Sequence, residues 1–413
     1  MRPRKEDALI KYKPEVLIED THTETTHATH FKTLHVKREQ KKRIFENSFN
    51  QGYYARFFKE RKQLGRGNRG SVFLCRHVLD GISLGLYAVK KIPIGNDHVC
   101  LEGILTEVFV LEGLKHENIV DYKHSWIENH QPTSFGPEIP CLFLLMEVAN
   151  GGSLEDLVEN RIALAPDDIL LVVEQILSGL VYLHRNGFVH GDIKPSNILL
   201  SLPKNGTGMR VLLSDFDTCE ESSLKSEKIG TIDFCAPELF RTPRTEPDRA
   251  QKADVWSVGL VLYSLYYREL PYKNTEDVSE LEKEIRGCAG FDLDADQSLP
   301  GGVRMVLKAL LEIEPRRRPS AEEALKMVQS VHRVFMTNQN QQTIENTRHR
   351  AVELVWIAEG VKVLVFALRE KTRRRALFLV YSLCCDFLFY RNTKRKGLLH
   401  VLLGLYLVLS LFV

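Results

Sequence analysis

Little in this chain points to a partner by net charge or to a metal by cysteine. Its 56 Lys and Arg residues are nearly matched by 54 Asp and Glu, for a formal net charge of +2. Global charge therefore argues for no nucleic-acid partner. The eight cysteines (75, 100, 141, 219, 235, 288, 384 and 385) are scattered. They show neither metal-ligand spacing nor a dense disulfide framework, which predicts reduced thiols in the cytosol. No apolar stretch follows the first basic residues, so no secretory signal peptide is expected. What is present is a 44% hydrophobic, 27% charged composition, that of a globular protein with a proper core, and at 413 residues there is room for two or three domains.

Residues 1–55 are polar and are expected to be disordered. Their Thr/His-rich patch, Thr21 to His27, and basic run, Lys37 to Arg43, read as solvated tail rather than as a metal site or a binding patch. From Leu64 the chain runs Leu64-Gly65-Arg66-Gly67-Asn68-Arg69-Gly70. Glycines at 65, 67 and 70 remove side chains where backbone N–H groups would approach phosphates. A dinucleotide site would require a helix directly afterwards. Ser71 to Arg76 and Leu86 to Ile92 read as strands instead, so the expectation is a hairpin lid, with Val72 and Ala88 either walls for adenine or plain core.

Lys90 falls on the inward face of an otherwise apolar strand and needs a partner there, because an unpaired buried charge is costly. Glu107, in the helical run Ile104 to Leu111, is the candidate. Leu142 to Met146 reads as a strand, Glu147 to Leu154 as a glycine-bearing connector, and Pro166 to His184 as an amphipathic helix whose apolar stripe is core.

Ile198 to Leu200 and Val211 to Leu213 read as short strands. They put two polar stretches on loops: His190-Gly191-Asp192-Ile193-Lys194-Pro195-Ser196-Asn197 and Ser214-Asp215-Phe216-Asp217. Phosphoryl transfer needs a carboxylate to orient the attacking hydroxyl, a cation on the moving phosphate and oxygen ligands for magnesium. Asp192, Lys194, Asn197 and Asp215 supply that set at matching spacing. Further on, Gly230 to Glu238 includes Thr231. Asp254 is expected to start an apolar helix and grip the loop backbone, and Arg318 to form a buried pair with Glu238.

Over about 58–335 this ordered set resembles a eukaryotic Ser/Thr protein kinase. Residues 77–85 and 93–98 further resemble the IKS group of fungal kinases. The resemblance implies an α+β, bilobal fold, with a small β-rich N-lobe at 56–146 and a larger helical C-lobe at 147–335. It also implies ATP and Mg2+ as cofactors and protein Ser/Thr hydroxyls as acceptors. Gly65, Gly67 and Gly70 would cover the phosphates; Lys90, held by Glu107, would contact two of them. Leu64, Val72, Ala88, Leu199, Glu147 and Ala149 would bind the nucleotide, the last two through backbone groups beside Met146. Asp192 would orient the substrate hydroxyl, Lys194 would steady the γ-phosphate, and Asn197 and Asp215 would hold magnesium.

Two departures stand out. Gly191 replaces an arginine that normally pairs with a phosphorylated segment, so phosphorylation at Ser222, Ser223 or Ser226 is not expected to be obligatory. Asp217 replaces a glycine, which predicts backbone strain there and an extra carboxylate that either strengthens metal binding or repels ATP. A pseudokinase scaffold at a membrane is the alternative these departures motivate.

The tail changes character. Residues 336–375 read as linker and juxtamembrane helix, 376–396 as an apolar then basic membrane-proximal segment, and 397–413 as an uncharged run. That run reaches about 25 Å against a hydrocarbon core of about 30 Å. The expectation is a single-pass C-terminal transmembrane helix in a thin membrane, the endoplasmic reticulum or another internal one. Lys394, Arg395 and Lys396 would stay with a cytosolic kinase domain. A buried docking helix and a two-helix hairpin are the rivals. Cys384 and Cys385 are either buried thiols or acylation sites.

Overall fold

The computed structural model describes residues 48–337 except 68, 96–97, 132–135, 203–207, 222–229, 242–246 and 275–276; for 98–100, 102–103, 106–107, 220–221 and 247–248 it describes backbone alone. By internal contact the chain divides into 1–329 and 330–413, and every residue of the site lies in the first unit. The expected anchor at 397–413, the segment before it and residues 222–226 lie outside the described residues. Among the described residues no helix is long and apolar enough to cross a membrane.

The N-lobe is one antiparallel sheet built from β1 (Phe58–Gly67), β2 (Gly70–Leu79), β3 (Ile82–Pro93), β4 (Tyr122–His130) and β5 (Ile139–Met146), in the order β1-β2-β3-β5-β4. Two glycine-bearing turns set its first hairpins. Asp80 and Gly81 join β2 to β3 with φ of 48° and 76°, the doubly left-handed turn whose twist matches the strands it joins. The β1–β2 turn is closed by the pair Gly67 and Gly70, two of the glycines expected to form a lid.

The expected boundary at 55 needs correction. Residues 48–55 are ordered, and α1 (Tyr53–Phe57) packs on the sheet with Tyr54 and Phe58 buried. Aromatics supply the reason: Tyr53, Tyr54 and Phe58 pack against Trp126 and Phe143 at ring-centre distances of 4.9–5.5 Å. The Tyr54 N–H donates to the Glu128 carboxylate, and its hydroxyl donates to Glu60 Oε1 at 2.8 Å. Glu60 in turn pairs with Lys91, whose ammonium lies 4.3 Å from the Tyr54 ring centre.

Helix α2 (His98–Gly113) separates β3 from β4. In the C-lobe, α3 (Leu154–Glu159) starts at a capping box between Ser153 and Asp156. Helix α4 (Pro166–Arg185) opens on proline and buries the expected stripe of Ile169, Val172, Val173, Ile176, Leu180 and Leu183. Strands β6 (Phe188–Val189), β7 (Ile198–Ser201), β8 (Arg210–Leu213) and β9 (Glu220–Glu221) follow as two short pairs, β6 with β9 and β7 with β8. Then come α5 (Glu238–Arg241), α6 (Pro247–Tyr267), α7 (Val278–Gly287) and α8 (Gly301–Leu310). The β7–β8 pair turns the two polar loops toward the same side of the fold: one loop enters β7, the other leaves β8.

Candidate active site

Asp192 and its neighbours form the centre. Asp192 Oδ2 accepts from Lys194 Nζ at 2.8 Å and from Asn197 Nδ2 at 2.9 Å, while Oδ1 accepts from the Thr231 N–H at 2.7 Å. Lys194 also donates to the Thr231 hydroxyl at 2.5 Å. Both carboxylate oxygens are therefore held in place. Burial pushes the Asp192 carboxyl up, but the Lys194 ammonium and the Thr231 N–H outweigh it and hold its pKa below the ordinary value.

The second loop lies against the first. Asn197 O accepts from both the N–H and the hydroxyl of Ser214 at 2.9 Å, which sets Asp215 beside the Asn197 backbone. Asp215 Oδ1 accepts from Lys90 Nζ at 2.8 Å, so a strand of the N-lobe reaches the C-lobe loop directly. Lys90 is 8% exposed. Its ammonium also donates to Asp217 Oδ1 at 2.7 Å, and Arg69, in the β1–β2 turn, lies 3.8 Å from the other Asp217 oxygen. Glu107 sits on α2, but its side chain is outside the described residues.

Asp217 is not strained. The left-handed backbone of this loop belongs to Asp215, at φ 61°, and Asp217 has no positive φ. The expected strain is thus misplaced by two residues: the chain turns at the carboxylate that meets Lys90, leaving position 217 free to carry a side chain. Gly191 does take positive φ, at 76°.

The scaffold beneath is buried and hydrogen-bonded to the loop. Asp254 accepts from the backbone N–H groups of His190 and Gly191 at 2.9 Å each and from His184 Nε2 at 2.8 Å. It does not start its helix, as expected, but sits seven residues inside α6, which begins at Pro247. Position 254 is 2% exposed, so the buried face of the helix, and not its end, presents the carboxylate. His190 Nε2 bonds Ser214 O at 3.1 Å and its ring lies 5.0 Å from that of Phe216. Burial holds the His190 pKa below the usual imidazole value despite the carboxylates of Asp254, Asp192 and Asp215. Arg318 and Glu238 make a bidentate pair at 2.7 and 3.1 Å, both buried, with Trp256 stacked on the guanidinium at 5.0 Å.

The remaining residues expected to bind nucleotide lie on strands or just after one. Gly65, Gly67 and Leu64 lie on β1, Val72 on β2, Ala88 on β3 and Leu199 on β7. A Cβ at Gly65 or Gly67 would meet nothing within 4 Å, whereas one at Gly70 would lie 2.1 Å from Lys91 O. Gly70 is therefore required by its own strand neighbour, not only by an approaching ligand. Glu147 O and the Ala149 backbone follow β5; the Glu147 N–H donates to Asp121 O at 2.9 Å and the Glu147 side chain pairs with Arg210. Sequence reasoning missed Gly230, where a Cβ would lie 2.3 Å from Gly191 O and 2.8 Å from Asp192 Oδ1. It also missed Arg69 as a partner for Asp217. The glycine run around 67 hid the arginine's charge behind its loop signal.

Over residues 58–328 the sequence matches the family described as Protein kinase domain. The chain belongs to the protein kinase family. This kinase is 37% identical over 311 residues to "Probable serine/threonine-protein kinase iksA" of Dictyostelium discoideum, covering 67% of this chain and 32% of that protein. It is 31% identical over 305 residues to "Calcium-dependent protein kinase 4" of Plasmodium falciparum, covering 69% of this chain and 54% of that one. To "Serine/threonine-protein kinase shk1/pak1" of Schizosaccharomyces pombe it is 30% identical over 268 residues, 64% of this chain and 37% of the relative. The kinase thus spans between a third and about half of the length of these curated relatives. The resemblance to eukaryotic Ser/Thr kinases holds, and the Dictyostelium name carries the IKS label.

Proposed function

We propose that this chain is an ATP-dependent protein kinase that transfers the γ-phosphate to Ser or Thr hydroxyls of protein substrates. The observation that carries the reading is the convergence of Lys90, Asp192, Asn197 and Asp215, 125 residues apart at the extreme, in one bonded network. Asp192 takes the role of orienting the acceptor hydroxyl. A carboxylate held below its ordinary pKa is a weak base, so its main work is alignment, with the proton accepted late. Lys194 places a cation beside the path of the moving phosphate, and Lys90 meets the other phosphates. The resemblance would give Lys90 a further partner in Glu107. Leu64, Val72, Ala88 and Leu199 sandwich the base, and the backbone at Glu147 and Ala149 pairs with its edge.

Asn197 and Asp215 offer oxygen donors, the chemistry magnesium prefers. Among the described residues no group of three or more His, Cys, Asp or Glu could hold a metal. Two protein ligands completed by phosphate and water oxygens is the pattern expected of a nucleotide-borne Mg2+. When bound, the metal would neutralise phosphate charge as it develops.

The test is phosphorylation of a generic basic protein from labelled ATP with Mg2+, comparing the full chain with Asp192→Asn. Loss of about 10²-fold or more in kcat is expected of a removed positioned base. A scaffold without phosphoryl transfer is the second reading, favoured by the bond between Lys90 and Asp217. Equal signal from both proteins would establish it.

The proposal extends to location: a single-pass tail anchor at 397–413 with the kinase domain in the cytosol, on an internal membrane such as the endoplasmic reticulum. The uncharged run and the basic Lys394 to Lys396 before it support this. Fluorescence of the full chain should follow a membrane, and that of a chain ending at Arg375 should be diffuse. Identical patterns would contradict it.

A further inference from the structure

Asp217 faces the cations of the nucleotide cradle and nothing in the kinase reading uses it. Its Oδ1 accepts from Lys90 Nζ at 2.7 Å, a shade shorter than the 2.8 Å bond from Lys90 to Asp215. Its Oδ2 lies 3.8 Å from Arg69 Nε, in the turn between Gly67 and Gly70. The Asp217 side chain is only 16% exposed and that of Lys90 10%, so the pair is poorly screened by solvent. The backbone at 217 takes no positive φ, so its conformation does not call for glycine. An anion has been placed where a side chain is optional, and both its oxygens are turned to cations.

Those two cations are the ones an ATP phosphate would meet: Lys90 on the strand and Arg69 on the lid. We infer that Asp217 is a positioning residue that competes with nucleotide phosphate for Lys90 and Arg69, making nucleotide binding by this kinase depend steeply on its divalent metal. The inference rests on the kinase reading of the cleft. A nucleotide without metal must displace the Asp217 carboxylate from Lys90 and then face its charge together with that of Asp215. A metal-bound nucleotide brings a compensating divalent charge into the same place, and the repulsion is offset. Affinity for nucleotide and affinity for metal are thereby coupled through one side chain, and the coupling is reciprocal. The 3.8 Å ion pair with Arg69 links the lid to the metal loop in the same exchange, because a phosphate that takes Lys90 from Asp217 also draws on Arg69.

The experiment is isothermal titration of the full chain with ATP, once in excess EDTA and once in Mg2+, for the wild type, Asp217→Asn and Lys90→Ala. Asparagine keeps the shape and removes the charge. Loss of one charge-assisted bond that competes with the ligand should tighten metal-free ATP by about tenfold. The Mg2+ complex should change by less than about threefold, so the ratio of the two affinities collapses. Lys90→Ala should lose ATP binding in both conditions. Wild type and Asp217→Asn binding metal-free ATP equally would overturn the inference while leaving the kinase reading intact. Weaker Mg2+–ATP binding by Asp217→Asn, with metal-free binding unchanged, would overturn it in favour of Asp217 as a metal ligand. If none of the three proteins bound ATP in either condition, the kinase reading itself would fall.

Discussion

Lys194 does two things at once, and they can be separated. With the Thr231 N–H, its ammonium holds the Asp192 pKa down against burial, and it also lies beside the path proposed for the phosphate. In Lys194→Ala only the Thr231 donors remain to offset burial, so the Asp192 carboxyl should titrate higher than in the wild type. The acid limb of kcat/KM should move to higher pH, together with a fall in kcat of about 10²-fold, the cost of one preorganised charge. A pH profile that drops in height without moving would show that Lys194 meets only the phosphate. These residues were legible in the sequence because their spacing is set by a short loop that admits few alternatives. Asp217 was legible as a departure but not in its consequence. Which residue of Ser214 to Asp217 takes the left-handed turn depends on how the loop meets Lys90, and that strand lies far away along the chain.

At the scale of elements, α1 is the part the sequence concealed. Residues 48–55 carry a polar composition that suggests solvated tail, yet four aromatics between Tyr53 and Phe58 seat them on the sheet. A helix of five residues is too short to display an apolar stripe of its own, so only its tertiary partners, Trp126 and Phe143, reveal it. Tyr54→Ala should destabilise the kinase by about 3–5 kcal/mol, the usual cost of truncating a buried aromatic. Urea unfolding measures this directly, and a change below about 1 kcal/mol would mean that α1 is ornamental. Asp254 teaches the related lesson. Its grip on the loop was expected, but the helix boundary was misread because Pro247, not the acidic residue, is the first helical position.

Across the whole molecule, the buried histidine under the site couples stability to pH. His190 is fully buried, with its pKa lowered by burial and with Asp254, Asp192, Asp215 and the Ser214 carbonyl around it. The unfolded chain takes up a proton there near the ordinary value of 6.5, the folded chain only at lower pH. The unfolded state thus binds more protons, and stability falls as pH drops below about 6.5. His116 and His130, also lowered by burial, act in the same direction. Each such group contributes a slope of up to about 1.4 kcal/mol per pH unit. Urea midpoints at pH 7.5 and 5.5 should differ accordingly, and equal midpoints would contradict the assignment. The bilobal arrangement was expected from the resemblance to protein kinases; what the residues themselves showed was local, the strands around Lys90 and the amphipathic stripe of α4. The contact between lobes was not legible, since Asn118 donating to Val211 O, the Val120 N–H donating to Leu213 O and Lys90 reaching Asp215 each join residues about 90 or more apart along the chain.

That contact is the central claim, and thermal unfolding of the full chain with and without Mg2+–ATP tests it most directly. At a nucleotide concentration near 100 times Kd the wild type should gain about 2.7 kcal/mol, seen as a rise in Tm. Lys90→Ala, which removes the group joining β3 to Asp215, should show no rise. An equal rise in both proteins would place the nucleotide elsewhere and contradict the account.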